Sequence, residues 1–216
     1  MIKSLKKTIW KFLNRLRIGG PIQLLLDSGV LEDGWFKSYY TRQSVDLRGN
    51  PIPWCTYSFL KFIEPRLKEH FNIFEYGCGN STIWYAKKVN SIKSVEHNKN
   101  WFELIVSNLP GNAKVVLIEL NENGNYAKEV LVENKKYEII IIDGVERNNS
   151  VKFAMTGLTE DGVIIYDNTQ LEEYFPSIDM LIDSGFKRID FIGTLPIVAH
   201  NNTTTIFYRD KNCLGI

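Results

Sequence analysis

Cysteine is scarce in this 216-residue chain. The three present, Cys55, Cys78 and Cys213, are odd in number, far apart and without CxxC or Cys–His spacing. A disulfide framework and a zinc site are therefore not expected, and a reducing cytoplasm is the natural compartment. Long apolar runs are missing too. Stretches such as Ile139 to Ile142 fall far short of the roughly 20 residues needed to cross a bilayer. Neither charge sign dominates: 26 Lys and Arg against 25 Asp and Glu leave +1, so composition supplies no bulk pull toward nucleic acid, and no nucleic-acid partner is expected. The basic N-terminus lacks the uninterrupted apolar stretch of a signal peptide, because Lys and Arg recur through it. There is no repeat, low-complexity tract or interdomain linker.

What the chain has is material for a core: 44% of its residues are apolar and 12% aromatic, enough for one globular domain of ordinary size. Its charge is unevenly spread. Residues 1–17 carry six basic side chains and no acid, which leaves −5 for the rest. Within residues 2–18, Ile2, Leu5, Ile9, Trp10, Phe12, Leu13 and Leu16 recur at near-helical spacing, predicting an amphipathic helix with a basic face. Such a helix packs on its own domain, on another copy or partner, or lies peripherally on a membrane surface. Gly19-Gly20-Pro21 ends it. Residues 30–55 lack clear periodicity but hold Trp35, Phe36, Tyr39, Tyr40, Arg42 and Trp54, an aromatic segment that either covers a ligand site or plugs the edge of a core. The expected organisation is an N-terminal helical and aromatic cap over residues 1–55 and an α/β domain over 56–216.

From Thr56 onward the pattern is regular. After a helix over 57–68, strands are predicted at 72–76, 92–96, 113–119, 137–143 and 162–167. Helices at 81–88, 99–108, 126–133, 150–158 and 171–184 alternate with them. Continuous apolar strands, such as Ile139-Ile140-Ile141-Ile142, specify a parallel sheet buried on both faces. The last two strands, 186–192 and 203–209, are joined by a loop too short for a helix and should pair antiparallel. The predicted fold is α/β: a seven-stranded, mostly parallel, doubly wound sheet with an antiparallel last strand.

Ligands of such sheets bind beyond the carboxyl ends of the strands. There the first strand ends in Glu75-Tyr76-Gly77-Cys78-Gly79 and runs into Asn80-Ser81-Thr82, where Ser81 or Asn80 can cap the next helix. A dinucleotide fingerprint would have a third glycine where Thr82 stands. Glu75, two residues before the first glycine, is a poor neighbour for a pyrophosphate and a good one for a cationic aminoacyl group. The charge pattern thus favours a sulfonium ligand. The second strand ends in Glu96, 17 residues after Gly79, about where nucleotide-binding α/β folds place the acid that grips ribose hydroxyls.

With the E-x-G-x-G-x-S motif (Glu75, Gly77, Gly79, Ser81), Glu96 and the final hairpin, residues 56–209 resemble the class I S-adenosylmethionine-dependent methyltransferases of Rossmann-like fold. Pro51-Ile52-Pro53-Trp54-Cys55-Thr56-Tyr57 looks like the domain entry of a bacterial small-molecule subgroup. The resemblance implies that Glu75, Gly77, Gly79, Asn80 and Ser81 hold the aminoacyl part of S-adenosylmethionine, that Glu96 holds its ribose, and that residues 121–126 face its adenine.

The fourth strand ends in Asp143-Gly144 with Glu146 and Arg147 beyond it, and the fifth in Asp167-Asn168. Two acids and an amide on neighbouring strand ends can hold magnesium, an arrangement similar to catechol-type O-methyltransferases. The interval from Asp143 to Asp167 is shorter than in that family. The other reading has Asp143 supporting cofactor or substrate, or acting as general base, while Asp167-Asn168 caps a helix. Arg147 can hold an anionic substrate group or form a surface salt bridge. His200, His97 and Cys78 are read as turn, lining and packing residues. The expected function is methyl transfer from S-adenosylmethionine to a small-molecule acceptor, oxygen being favoured and nucleobases disfavoured because no Asn/Asp-Pro-Pro-Tyr motif follows the fourth strand, with Asp143, Asp167 and Asn168 as the catalytic set. The alternative is a noncatalytic protein of the same fold working through its basic N-terminal helix as a membrane or partner adaptor.

Overall fold

The computed structural model describes residues 2–216, with side chains from Leu5 onward. The contributions expected of the Ile2 and Lys3 side chains lie outside the described residues. Helices α1 (Ile2–Arg15), α2 (Gly19–Leu26), α3 (Gly29–Glu32) and α4 (Trp35–Thr41) come first. The remainder alternates as α5 (Tyr57–Ile63), β1 (Asn72–Tyr76), α6 (Asn80–Ala86), β2 (Ser91–Glu96), α7 (Lys99–Val106), β3 (Ala113–Leu117), α8 (Asn125–Lys128), β4 (Tyr137–Ile142), α9 (Arg147–Gly157), β5 (Leu158–Asp167), α10 (Phe175–Asp183), β6 (Lys187–Gly193) and β7 (Asn202–Tyr208).

The seven strands form one sheet in the order β3-β2-β1-β4-β5-β7-β6. The first five are parallel, and β7 enters between β5 and β6, antiparallel to both. Alternate side chains of each central strand feed opposite faces, as the two-residue period of a strand requires. Ile139 and Ile141 of β4, with Val163 and Ile165 of β5, join the core that contains Phe59, Ile63 and Tyr85. Ile140, Ile142, Ile164 and Tyr166 join the opposite core, with Tyr126, Val151 and Leu181. Both faces being apolar is why these strands read as unbroken runs.

Three local expectations change. Residues 30–55 are not wholly irregular: α4 forms there, held by the Trp35 indole donating to the Val198 carbonyl (2.7 Å) and by Ser38 Oγ donating to the Val45 carbonyl (2.6 Å). The helix expected over 126–133 is the single turn α8 continued by a 3-10 turn to Leu131. The helix expected over 171–184 begins as a 3-10 turn at Glu172–Tyr174 and becomes α10 at Phe175, with Pro176 in its first turn, where no amide donor is needed.

Candidate functional site

The carboxyl ends of β1, β2, β4 and β5 lie along one rim, because Tyr76 pairs with Val95 on one side and Ile142 on the other, and Ile142 pairs with Tyr166. At the end of β1, Gly77 takes a left-handed backbone (φ +90°) and its amide donates to the Val95 carbonyl at 2.8 Å. The exit of β4 runs against this turn. A Cβ on Gly144 would stand 2.8 Å from the Gly77 nitrogen and 2.9 Å from the Tyr76 carbonyl carbon, closer than packed atoms approach. Gly144 is therefore the partner that lets the two strand ends meet, a role the sequence reading did not assign.

Glu75 lies under the turn, 2% exposed, with Oε2 accepting from Thr82 Oγ1 (2.5 Å) and Ser94 Oγ (2.7 Å). Burial raises its carboxyl above the ordinary range, against the pull of hydroxyls from Ser81, Thr82 and Ser94. The Thr82 hydroxyl in turn accepts from the Gly79 amide at 3.0 Å. The capping role expected of Asn80 or Ser81 thus falls to Thr82, and the residue standing where a dinucleotide fold has its third glycine ties turn, helix and Glu75 together. Asn80 points elsewhere, its Nδ2 donating to the Ser44 carbonyl (2.7 Å) and so fastening α6 to the N-terminal segment. The indole of Trp101, on α7, donates to the Cys78 carbonyl at 2.7 Å. Nothing but its position in α7 marked it in the sequence.

Glu96 reaches the same turn from β2. Its Oε2 accepts from the Cys78 amide (3.3 Å) and its Oε1 from the amides of His97 and Asn98 (both 2.8 Å), with His97 Nδ1 at 3.0 Å. Glu75, Gly77, Gly79 and Glu96 thus converge. Of the residues expected to face adenine, Tyr126 is buried, its ring 5.9 Å from that of Tyr76 and 6.3 Å from that of His97. Asn121 and Asn125 line an open groove beside Leu117 and Glu119 at the end of β3.

At the ends of β4 and β5 the organising group is Arg147, which is 9% exposed. Its Nε donates to the Gly144 carbonyl (2.8 Å), NH1 to the Asp167 carbonyl and to Asn168 Oδ1 (2.8 Å), and NH2 to Asp143 Oδ1 (3.1 Å); its guanidinium carbon stands 4.9 Å from the Tyr174 ring centre. The donors that sequence alone offers to an anionic substrate are engaged by the protein. Asp167 does not cap a helix: its carboxylate accepts from Thr204 Oγ1 (2.6 Å) and Asn202 Nδ2 (3.3 Å) on β7. Burial pushes Asp167 up to about 6, against Thr204 and Arg147. Burial, with the Asp167 charge added, pushes Asp143 well above the carboxylate range despite Arg147.

These donors do not fit a divalent cation. The guanidinium already lies between Asp143 Oδ1 and Asn168 Oδ1, and the Asp167 carboxylate is turned to β7. No cluster of three or more His, Cys, Asp or Glu able to hold a metal occurs among the described residues.

No family model matches the chain, and no curated protein matches it in sequence. Solved structures do. The O-methyltransferase TomG from Streptomyces achromogenes, solved in complex with S-adenosylmethionine, superposes with a TM-score of 0.58 at 13% identity, over 87% of this chain and 94% of that one. Precorrin-6y C5,15-methyltransferase from Geobacter metallireducens gives 0.56 at 14% identity, over 70% and 85%. Fibrillarin from Aeropyrum pernix, with natively bound S-adenosylmethionine, gives 0.51 at 20% identity, over 69% and 72%. At these identities the likeness defines the fold. It is the Rossmann-like, seven-stranded sheet of class I methyltransferases, in the strand order found here.

Proposed function

We propose that this chain transfers a methyl group from S-adenosylmethionine to an oxygen of a small-molecule acceptor. The observation that carries the reading is the convergence of Glu75 and Glu96 on one glycine turn, the first through Thr82 and the second through the Cys78 amide. The backbone of Gly77, Gly79, Asn80 and Ser81 would border the aminoacyl group, with the buried Glu75 charge behind it, and Glu96 would accept the ribose hydroxyls. Bound there, S-adenosylmethionine supplies an electrophilic methyl carbon.

The chain's own work is to hold the acceptor in line and to take its proton. Asp143 is the candidate base: it is half-buried at the rim, and its raised pKa makes it a better proton acceptor than an ordinary carboxylate. Arg147 fixes the Asp143 carboxylate and places a permanent positive charge beside the developing oxygen anion, while Asn168 and Asp167 hold the guanidinium. No step needs a metal. Residues 1–55 act as a cap on the domain formed by 56–216. Asn80 to Ser44 and Trp35 to Val198 fasten that cap to both sides of the rim, shielding the reaction from water.

Calorimetric titration of the full-length protein with S-adenosylhomocysteine tests the reading. Saturable binding is expected, weakened about tenfold or more by Glu96→Ala, which removes charge-assisted hydrogen bonds. Absence of binding by the intact protein sinks the proposal.

A further inference from the structure

Helix α1 turns its most apolar stripe away from the protein. Leu5, Ile9, Phe12 and Leu16 fall at intervals of four, three and four residues, which at about 3.6 residues per turn places them on one narrow stripe. They are 63%, 49%, 61% and 51% exposed. Trp10 and Leu13, the half-buried residues of the helix, lie to one side of that stripe. α2 follows directly, in contact with α1, and leaves Leu24, Leu25 and Leu26 each about half exposed or more. Arg15 and Lys11 lie on the other side of the stripe, Lys7 behind it, and Lys6 beside Trp10 and Leu13. None of the basic side chains from Lys6 to Arg17 enters an ion pair among the described residues, and the first acid of the chain is Asp27.

We infer that α1 and α2 dock this protein on an anionic lipid surface, with the leucine and phenylalanine side chains in the acyl boundary and the lysines and arginines among the headgroups. Charge decides the occupant. A second copy laid on the same stripe would bring two +6 segments together, whereas an anionic bilayer surface takes the apolar stripe and its cationic flank at once. No helix among the described residues is long and apolar enough to cross the membrane, so the contact is peripheral. A lipid surface also accounts for the stripe of large apolar side chains that α1 leaves in water. The inference is independent of the chemistry proposed above.

The test is flotation of the full-length protein with vesicles of phosphatidylcholine alone and of phosphatidylcholine containing phosphatidylglycerol. Binding to the anionic vesicles is expected to exceed that to neutral ones by about tenfold or more and to fall as salt is raised. Phe12→Glu with Leu25→Glu should abolish it, and Lys7→Gln with Lys11→Gln and Arg15→Gln should remove the anionic preference. All five positions are exposed, so circular dichroism and Tm should match the parent protein. Equal partition to both vesicles, or none to either, overturns the inference. So does sedimentation showing a dimer that Phe12→Glu dissociates, since a second copy would then cover the stripe.

Discussion

The two halves of the strand-end rim hold their carboxylates differently. Around β1 and β2, Glu75 accepts hydroxyls and Glu96 accepts backbone amides, whereas at the end of β4 Asp143 is held by the guanidinium of Arg147, and only Asp167 on β5 rests on neutral donors there. Amides and hydroxyls can be exchanged for those of a ligand with little change in local charge. A buried guanidinium cannot be given up without leaving a carboxylate uncompensated. Under the proposed function, the first half would grip the hydroxyl-rich ligand and the second would handle the charge that appears during the reaction.

Removing the cation breaks the contrast most severely. Arg147→Ala should cost about 3–5 kcal/mol in a urea unfolding titration, the usual result of orphaning one side of a buried ionic network. A loss below about 1 kcal/mol would show that Asp143 is solvated without its partner. Thermal unfolding of the parent protein should be indifferent to magnesium, because the guanidinium already occupies the space between Asp143 and Asn168. On the other half, Thr82→Val removes the acceptor of the Gly79 amide and one donor to Glu75, with an expected cost of about 1–3 kcal/mol. If that loss equals or exceeds the one from Arg147→Ala, the neutral half is the more tightly built of the two.

The smallest effect is in pH. A carboxyl whose folded pKa is raised contributes stability that is fully present below its unfolded value and is lost as pH rises through the folded one. With Asp167 at about 6 in the fold and an ordinary aspartate near 4 when unfolded, its share should fall by about 1 kcal/mol between pH 5 and pH 7. Asp167→Asn should flatten that part of the profile. An unchanged profile in the variant would assign the pH dependence to Asp143 or Glu75, both raised in the same direction.

The sheet was legible because its strands announce themselves through apolar runs that can be buried only on two faces, and its antiparallel end through a loop with no room for a helix. Helix α4 was not. It has seven residues, and its bonds reach Val198 and Val45, partners that local periodicity does not encode. At the rim, the positions of the glycine turn and of Glu96 followed from spacing along adjacent parallel strands. Arg147 was misleading because two of its acceptors are the carbonyls of Gly144 and Asp167, groups that every residue carries and no residue type displays. Thr82 was read for the glycine it replaces. Its hydroxyl and those of Ser81 and Ser94 around a buried acid were nonetheless a visible signal of a hydrogen-bonded hub.

The insertion of β7 between β5 and β6 sets an order of assembly. β1, β2 and β4 can pair as soon as each has left the ribosome, but the groups that receive the Asp167 carboxylate, Thr204 and Asn202, are synthesised 35 residues or more later. Until β7 slides into its slot, the outer edge of β5 is open and Asp167 has no shelter. The β5 end of the rim is thus completed only once β7 has been made, and a nascent chain that pauses before residue 202 presents an incomplete rim and an unpaired strand edge to its surroundings.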